Sequence, residues 1–130
     1  MKRTPVNPWS WSLEFGFNQA EIVEGQSRVL VCAGQTAVDA DGQPQHPGDM
    51  AAQISLALDN LEAVLKGADM TLANVVRLNM YTTDVDAFIQ NAAAMERLGA
   101  ANVMPPGTLL GVSRLAFPEL MVELEATAMA

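Results

Sequence analysis

Leu120-Met121-Val122-Glu123-Leu124-Glu125-Ala126-Thr127 repeats with a period of two. Leu120, Val122, Leu124 and Ala126 fall on one face, and Glu123 and Glu125 share the other. Side chains alternate across a strand in this way, so the stretch predicts a strand with one face in a core. Residues two apart on a strand are about 7 Å apart, so the carboxylates are close neighbours on one surface. In contact with water, that surface is an ordinary solvated face. Covered by a neighbouring subunit, the pair becomes a candidate acid/base site, because burial and a second negative charge both resist ionisation.

Working outward, residues 108–114 read as another closing strand, joined to 119–127 across Ala116-Phe117-Pro118. Residues 75–81 alternate as well, with Val76, Leu78 and Met80 opposing Arg77, Asn79 and Tyr81. Ile54, Leu58, Leu61 and Leu65 recur at helical spacing, flanked by Met50 and Val64. Asp49 reads as the N-cap of that helix and Gly67 as its stop. Thr83 or Asp84 can cap a second helix carrying Phe88, Met95 and Leu98, which ends from Gly99. Val103-Met104-Pro105-Pro106-Gly107 reads as a rigid loop. Residues 14–24 and 28–33 read as a hairpin turning at Gly25-Gln26-Ser27. The order is β-β-(short β)-α-β-α-β-β. It predicts one domain over residues 1–130, a two-layer α+β fold with a mixed sheet and two helices on one face. The other face must be wet or covered by a partner.

Composition points to the second option. Half of the 130 residues are hydrophobic and 17% are charged, against roughly 25% in typical soluble domains. A small domain has much surface per residue, so the shortage of charge predicts an oligomer. The net charge of −8 and the scattered Lys and Arg residues argue against nucleic-acid binding. The single cysteine, Cys32, excludes an internal disulfide and lies in the apolar run Val29-Leu30-Val31-Cys32-Ala33, where it reads as a small core residue. His46 lies in a polar loop, without ligand spacing to Cys32, so neither a metal nor a cofactor is expected. No apolar run reaches the ~20 residues of a membrane span. The expected location is the cytoplasm.

Four segments carry a resemblance. They are Phe17-Asn18-Gln19-Ala20; Ala33-Gly34-Gln35-Thr36; Ala51-Ala52-Gln53 with Leu58-Asp59-Asn60-Leu61; and Val112-Ser113-Arg114-Leu115 with Val122-Glu123-Leu124-Glu125-Ala126. In this order and spacing they resemble the RidA family, also called the YjgF or L-PSP family. The resemblance implies a chorismate-mutase-like fold and a homotrimer with small-molecule clefts between subunits. It also implies hydrolysis of reactive enamines or imines to carbonyl compounds and ammonia, although some relatives are reported as ribonucleases. By the same resemblance, Glu123 helps to activate water, while Phe17, Ala33, Gly34, Gly107 and Thr108 stand at substrate-binding positions.

The chain departs from the family pattern at three of these positions. Gly107 stands where the family has the arginine that grips a substrate carboxylate, Phe17 where it has a tyrosine, and Ala33 where it has a serine. The chain therefore resembles the arginine-lacking Rid subgroups, and its substrate is expected to be bulkier or less anionic than a small 2-imino acid. A non-catalytic trimeric protein that binds a small metabolite in the same cleft is the alternative. Glu123 reads either as a general base or as a solvated carboxylate pairing with Arg77 or Arg114. Glu125 reads as an interface ion pair. Gly107 reads as a turn residue or as one that leaves room for a ligand. Gly34 reads as a bulge or as a point where a ligand nears the backbone. Phe17 reads as a pocket wall or as core. Thr108 reads as a ligand or a loop hydroxyl. Arg114 reads as a structural ion pair or as a replacement anion grip.

Overall fold

The computed structural model describes residues 1–99 and 104–130. Val103, the first residue of the expected rigid loop, lies outside them. Residues Val122–Met129, within and just beyond the period-two stretch, form the central strand of the sheet. Strands β3 (Val29–Val31), β4 (Gln35–Thr36), β5 (Val75–Thr82), β6 (Leu109–Gly111) and β7 (Val122–Met129) form a mixed sheet in the order β3-β7-β5-β6, with β4 also paired to β7. Strand β7 is antiparallel to β3, β4 and β5, while β6 runs parallel to β5. Strands β1 (Lys2–Val6) and β2 (Ala20–Glu24) make a separate antiparallel pair.

Helix α1 (Met50–Gly67) packs across one face of this sheet. Ile54, Leu58, Leu61 and Leu65 are fully buried and share a core with Leu78, Val122, Leu124 and Ala126. That match of a helical stripe to a strand face is the burial that drives the two layers together. Asp49 caps α1 by accepting from the Ala52 N–H at 3.0 Å. Gly67 remains inside the helix; Asp69 takes the left-handed conformation just beyond it, at φ 56°. The second helical region is broken. Helix α2 (Val85–Gln90), capped by Asp84, ends at Asn91; a 3-10 turn (Ala92–Met95) and helix α3 (Glu96–Gly99) follow. Phe88, Met95 and Leu98 are buried as their spacing implies.

The expected hairpin does not form. The hairpin of 14–24 with 28–33 is replaced by pairing of β2 with the N-terminal strand β1. Gly16, at φ 81°, ends a 3-10 turn (Trp11–Phe15), so the strand starts only at Ala20. A polar network then ties β1 to β2: Arg3 Nε meets Glu21 at 2.7 Å, and Asn7 donates to Asn18 at 2.8 Å. The two closing strands are also not neighbours. Strand β5 lies between β6 and β7, and the chain from residue 112 to 121 crosses over it. Among the described residues, no helix is long and apolar enough to cross a membrane.

Gln53, buried inside α1, holds that crossover in place. Its Nε2 donates to the carbonyls of Gln45, His46 and Glu119, and its Oε1 accepts from the Met121 N–H at 2.8 Å. Asn60 does the same for the segment after β4, donating to the Thr36 and Val38 carbonyls at 2.8 and 2.9 Å. These two amides satisfy buried backbone groups that no ladder reaches. Both lie in the helix segment that carried the family resemblance, and their part is structural.

Candidate functional site

Strand β7 turns Val122, Leu124 and Ala126 into the core and Glu123 and Glu125 onto the opposite, helix-free face. The register places Tyr81 opposite Glu123 and Asn79 opposite Glu125. On the other flank of β7, Gly34 leads into β4 and lies against the Glu123 side chain. A Cβ at residue 34 would stand 2.7 Å from the Glu123 carboxyl carbon and closer still to its oxygen. Gly34 thus vacates the space that the Glu123 carboxylate fills. What approaches this glycine backbone within the chain is the glutamate itself.

The two carboxylates are driven apart in acidity. Partial burial raises the Glu123 pKa above the usual carboxylate range, and the negative charge of Glu125 adds to the rise. Glu125 is lowered, because Asn79 Nδ2 donates to its Oε1 at 3.2 Å and the Tyr81 hydroxyl donates to the same oxygen at 2.9 Å. The Tyr81 hydroxyl is correspondingly raised by that bond. Glu125 stays ionised and tied to the sheet by two neutral donors, where an ion pair was expected. Of the two, Glu123 is the one whose acidity is weakened, and Glu125 the one whose acidity is strengthened.

Glu123, Glu125, Gly34 and Tyr81 line a concave site of about 220 Å³ on this face, together with Arg114 and the apolar Val112 and Leu115. Within the described residues, the ion pairs closer than 4.0 Å are Arg3–Glu21, Arg97–Asp59 and Arg97–Glu62. Neither Arg77 nor Arg114 neutralises Glu123. Sequence reading passed over Tyr81, Val112 and Leu115 as site residues. Tyr81 alternates visibly with Asn79 and Arg77, but its place opposite Glu123 depends on a register between strands some forty residues apart.

The remaining sequence-selected residues lie elsewhere in the chain. Phe17 and Gly107 line a separate apolar cavity of about 700 Å³, with Met80, Phe88, Met95 and Met104 among its walls. Phe17 also meets the Trp11 ring edge-on, with centroids 5.9 Å apart. Strand β5 separates the two cavities, because Tyr81 faces the first and Met80 the second. The direction that a side chain at Gly107 would take is filled by backbone, not by the cavity. A Cβ there would overlap the Leu78 carbonyl oxygen and stand 2.7 Å from the Leu78 carbonyl carbon. The segment is zipped to β5 on both sides of Gly107, by Leu78 N–H to Pro106 O at 3.0 Å and Met80 N–H to Thr108 O at 2.8 Å. Thr108 and Ala33 are exposed and line neither cavity. Cys32 belongs to the core, and burial pushes its thiol pKa up, which makes it a poor nucleophile. Among the described residues, no group of three or more His, Cys, Asp or Glu is placed to hold a metal ion.

Comparison with known proteins places this geometry among relatives. A family profile described as endoribonuclease L-PSP matches residues 14–130. The solved structure of YyfB, a conserved Rid-family protein of unknown function from Yersinia pestis, is 34% identical and superposes with a TM-score of 0.87 over 100% of both chains. The mitochondrial protein mmf2 of Schizosaccharomyces pombe is 35% identical over 68% of this chain and 66% of its own length. A 2-iminobutanoate/2-iminopropanoate deaminase of Escherichia coli is 26% identical over 77% of this chain and 78% of its own.

Proposed function

This chain belongs to the L-PSP family, also called the RidA or YjgF family, and we propose that it is a Rid-like deaminase hydrolysing a small reactive imine or enamine, with substrate recognition altered from that of its deaminase relatives. The observation that carries the reading is the Glu123 carboxylate, partly desolvated in a concave site and not neutralised by either nearby arginine. The naming of relatives such as the Escherichia coli protein as 2-iminobutanoate/2-iminopropanoate deaminases supports the reaction class.

The steps follow from that carboxylate. An enamine first tautomerises to its imine. Glu123 accepts a proton from water as the water oxygen bonds to the C=N carbon, and the nitrogen takes up a proton to give a carbinolamine. Glu123 then returns its proton to the amine nitrogen. The C–N bond breaks, ammonia leaves, and the hydroxyl loses its proton as the carbonyl forms. Imines hydrolyse without a catalyst, so the barrier to be lowered is modest and one positioned base contributes usefully.

Within one chain, Glu123 and the pair Phe17 and Gly107 lie on opposite sides of β5. A cleft containing all of them needs a second copy, with Glu123 of one subunit facing the Phe17, Gly107 and Thr108 surface of another; the family resemblance makes that assembly a homotrimer. Recognition is altered because Gly107 offers no guanidinium, and the Leu78 carbonyl occupies the direction a side chain there would take.

The test is ammonia release from freshly generated 2-iminopropanoate. The native protein is expected to accelerate it, with kcat/KM below that of the Escherichia coli deaminase. Glu123→Gln is expected to lose about 10²- to 10⁴-fold in kcat while still binding ligand. Parity with the deaminase relative would overturn altered recognition. Absence of turnover in both forms, with ligand binding intact, would replace catalysis with a non-catalytic metabolite-binding role.

A further inference from the structure

Arg114 lines the same concave site as Glu123, Gly34 and Tyr81, yet it takes part in no ion pair and no hydrogen bond among the described residues. Its side chain is exposed, and it follows β6 on the crossover that returns to β7. Two carboxylates share the site with this guanidinium, and neither comes within 4.0 Å of it. Glu125 accepts from Asn79 and Tyr81 through one oxygen, and Glu123 lies in the space that Gly34 leaves open. The site therefore holds a guanidinium beside two carboxylates with no ion pair between them. A guanidinium with open donors offers a planar fork that matches a carboxylate in two parallel hydrogen bonds.

We infer that Arg114 is the anion-recognising residue of this site, gripping the carboxylate of a small carboxylate-bearing imine while Glu123 directs water to its C=N carbon. The inference rests on the proposed reaction for the role of Glu123, but the grip itself is a binding property that stands or falls separately. It departs from the expectation drawn from Gly107 alone, that the substrate is less anionic: the positive charge is present, carried by a different loop. Val112 and Leu115 supply an apolar wall beside the guanidinium.

The experiment measures binding and turnover on the intact protein. Pyruvate, the 2-oxo acid product of 2-iminopropanoate, and its uncharged amide, pyruvamide, are titrated by NMR into the native protein, Arg114→Gln, Arg114→Lys and Glu123→Gln. Pyruvate is expected to bind the native protein more tightly than pyruvamide. Arg114→Gln should weaken pyruvate by about tenfold to a hundredfold and leave pyruvamide unchanged. Arg114→Lys should fall between, since an ammonium keeps charge but not the fork. Glu123→Gln should bind pyruvate at least as well as the native protein does. In turnover, Arg114→Gln should raise KM for 2-iminopropanoate with kcat little changed. Equal loss of pyruvate and pyruvamide binding, no loss of either, or no pyruvate binding by the native protein would each overturn the assignment. Arg114-dependent pyruvate binding without any turnover would keep the assignment and reject the deaminase reading instead.

Discussion

Partial burial raises the pKa of Glu123 and the charge of Glu125 raises it further, while Gly34 leaves the space that its carboxylate fills. Gly34→Ala pushes a methyl into the space of the Glu123 carboxyl group. Because the displaced group is the end of a flexible side chain, the expected cost in stability is about 1 kcal/mol or less. The cost in turnover should be far larger, roughly tenfold or more, since a base moved by about 1 Å is misaligned. Denaturant midpoints and kcat measured side by side check this; equal, small effects on both would show that the contact does not position the base. Glu125→Gln removes the charge that helps to raise Glu123. A base must be ionised to work, so turnover falls as pH drops through the raised Glu123 value. In Glu125→Gln that acidic limb should move to lower pH, as read from a pH–rate profile or a Glu123 carboxyl titration by NMR. The linkage has a matching sign. A raised folded-state pKa gives a contribution to stability that is full below the ordinary glutamate value and lost as pH climbs through the raised one. Glu125, lowered by its two donors, contributes in the opposite sense: its share is present above the ordinary value and lost as pH falls through the lowered one.

At the scale of elements, β5 governs where each site residue stands. It pairs with β7 on one edge and β6 on the other, so one strand sets Tyr81 against Glu123 and Met80 against the apolar cavity. Gly107 matters here as a packing residue. Its backbone approaches Leu78 so closely that any Cβ must part the β5 edge from the segment leading into β6. Gly107→Ala is expected to destabilise the fold by about 2 kcal/mol or more, measured by chemical denaturation, because the atom in the way is backbone and cannot rotate aside. An unchanged midpoint would show that the segment yields freely. By the same reasoning, placing an arginine at 107 does not by itself rebuild a carboxylate grip. The zipping of residues 106–108 to β5 was not legible in the sequence, where Pro105-Pro106-Gly107 reads only as a turn.

For the whole molecule, the helix-free sheet face lies opposite the core and is left uncovered by the chain's own helices. Val31 is 79% exposed, Val29 53% and Leu110 49%, and all three share the face of Glu123 and Glu125 through their registers with β7 and β5. Apolar side chains grouped on a solvent-facing sheet surface fit the association that the proposed intersubunit cleft requires. A trimer is expected in solution, with a mass three times the 13.9 kDa of the chain by light scattering. Val31→Glu should shift that mass towards a single chain and lower turnover with it, since the proposed cleft needs two subunits. A monomeric native protein with full activity would remove the intersubunit cleft from the proposal.

The sequence by itself determined which faces are apolar. The period of two in 120–127 and the helical stripe from Ile54 to Leu65 are local patterns, and burial follows them directly. Capping by Asp49 and Asp84 was equally local, since each carboxylate meets an N–H three residues on. Strand partners were not local. The swap of β2 from β3 to β1, the insertion of β5 between β6 and β7, and the break in the second helix depend on contacts between distant segments. The same holds for the site. Periodicity put Glu123 and Glu125 on one face, but only register and packing gave one a raised pKa beside Gly34 and the other a lowered pKa with two donors. Those opposite fates come from Gly34, Asn79 and Tyr81, residues that only the folded sheet brings beside them.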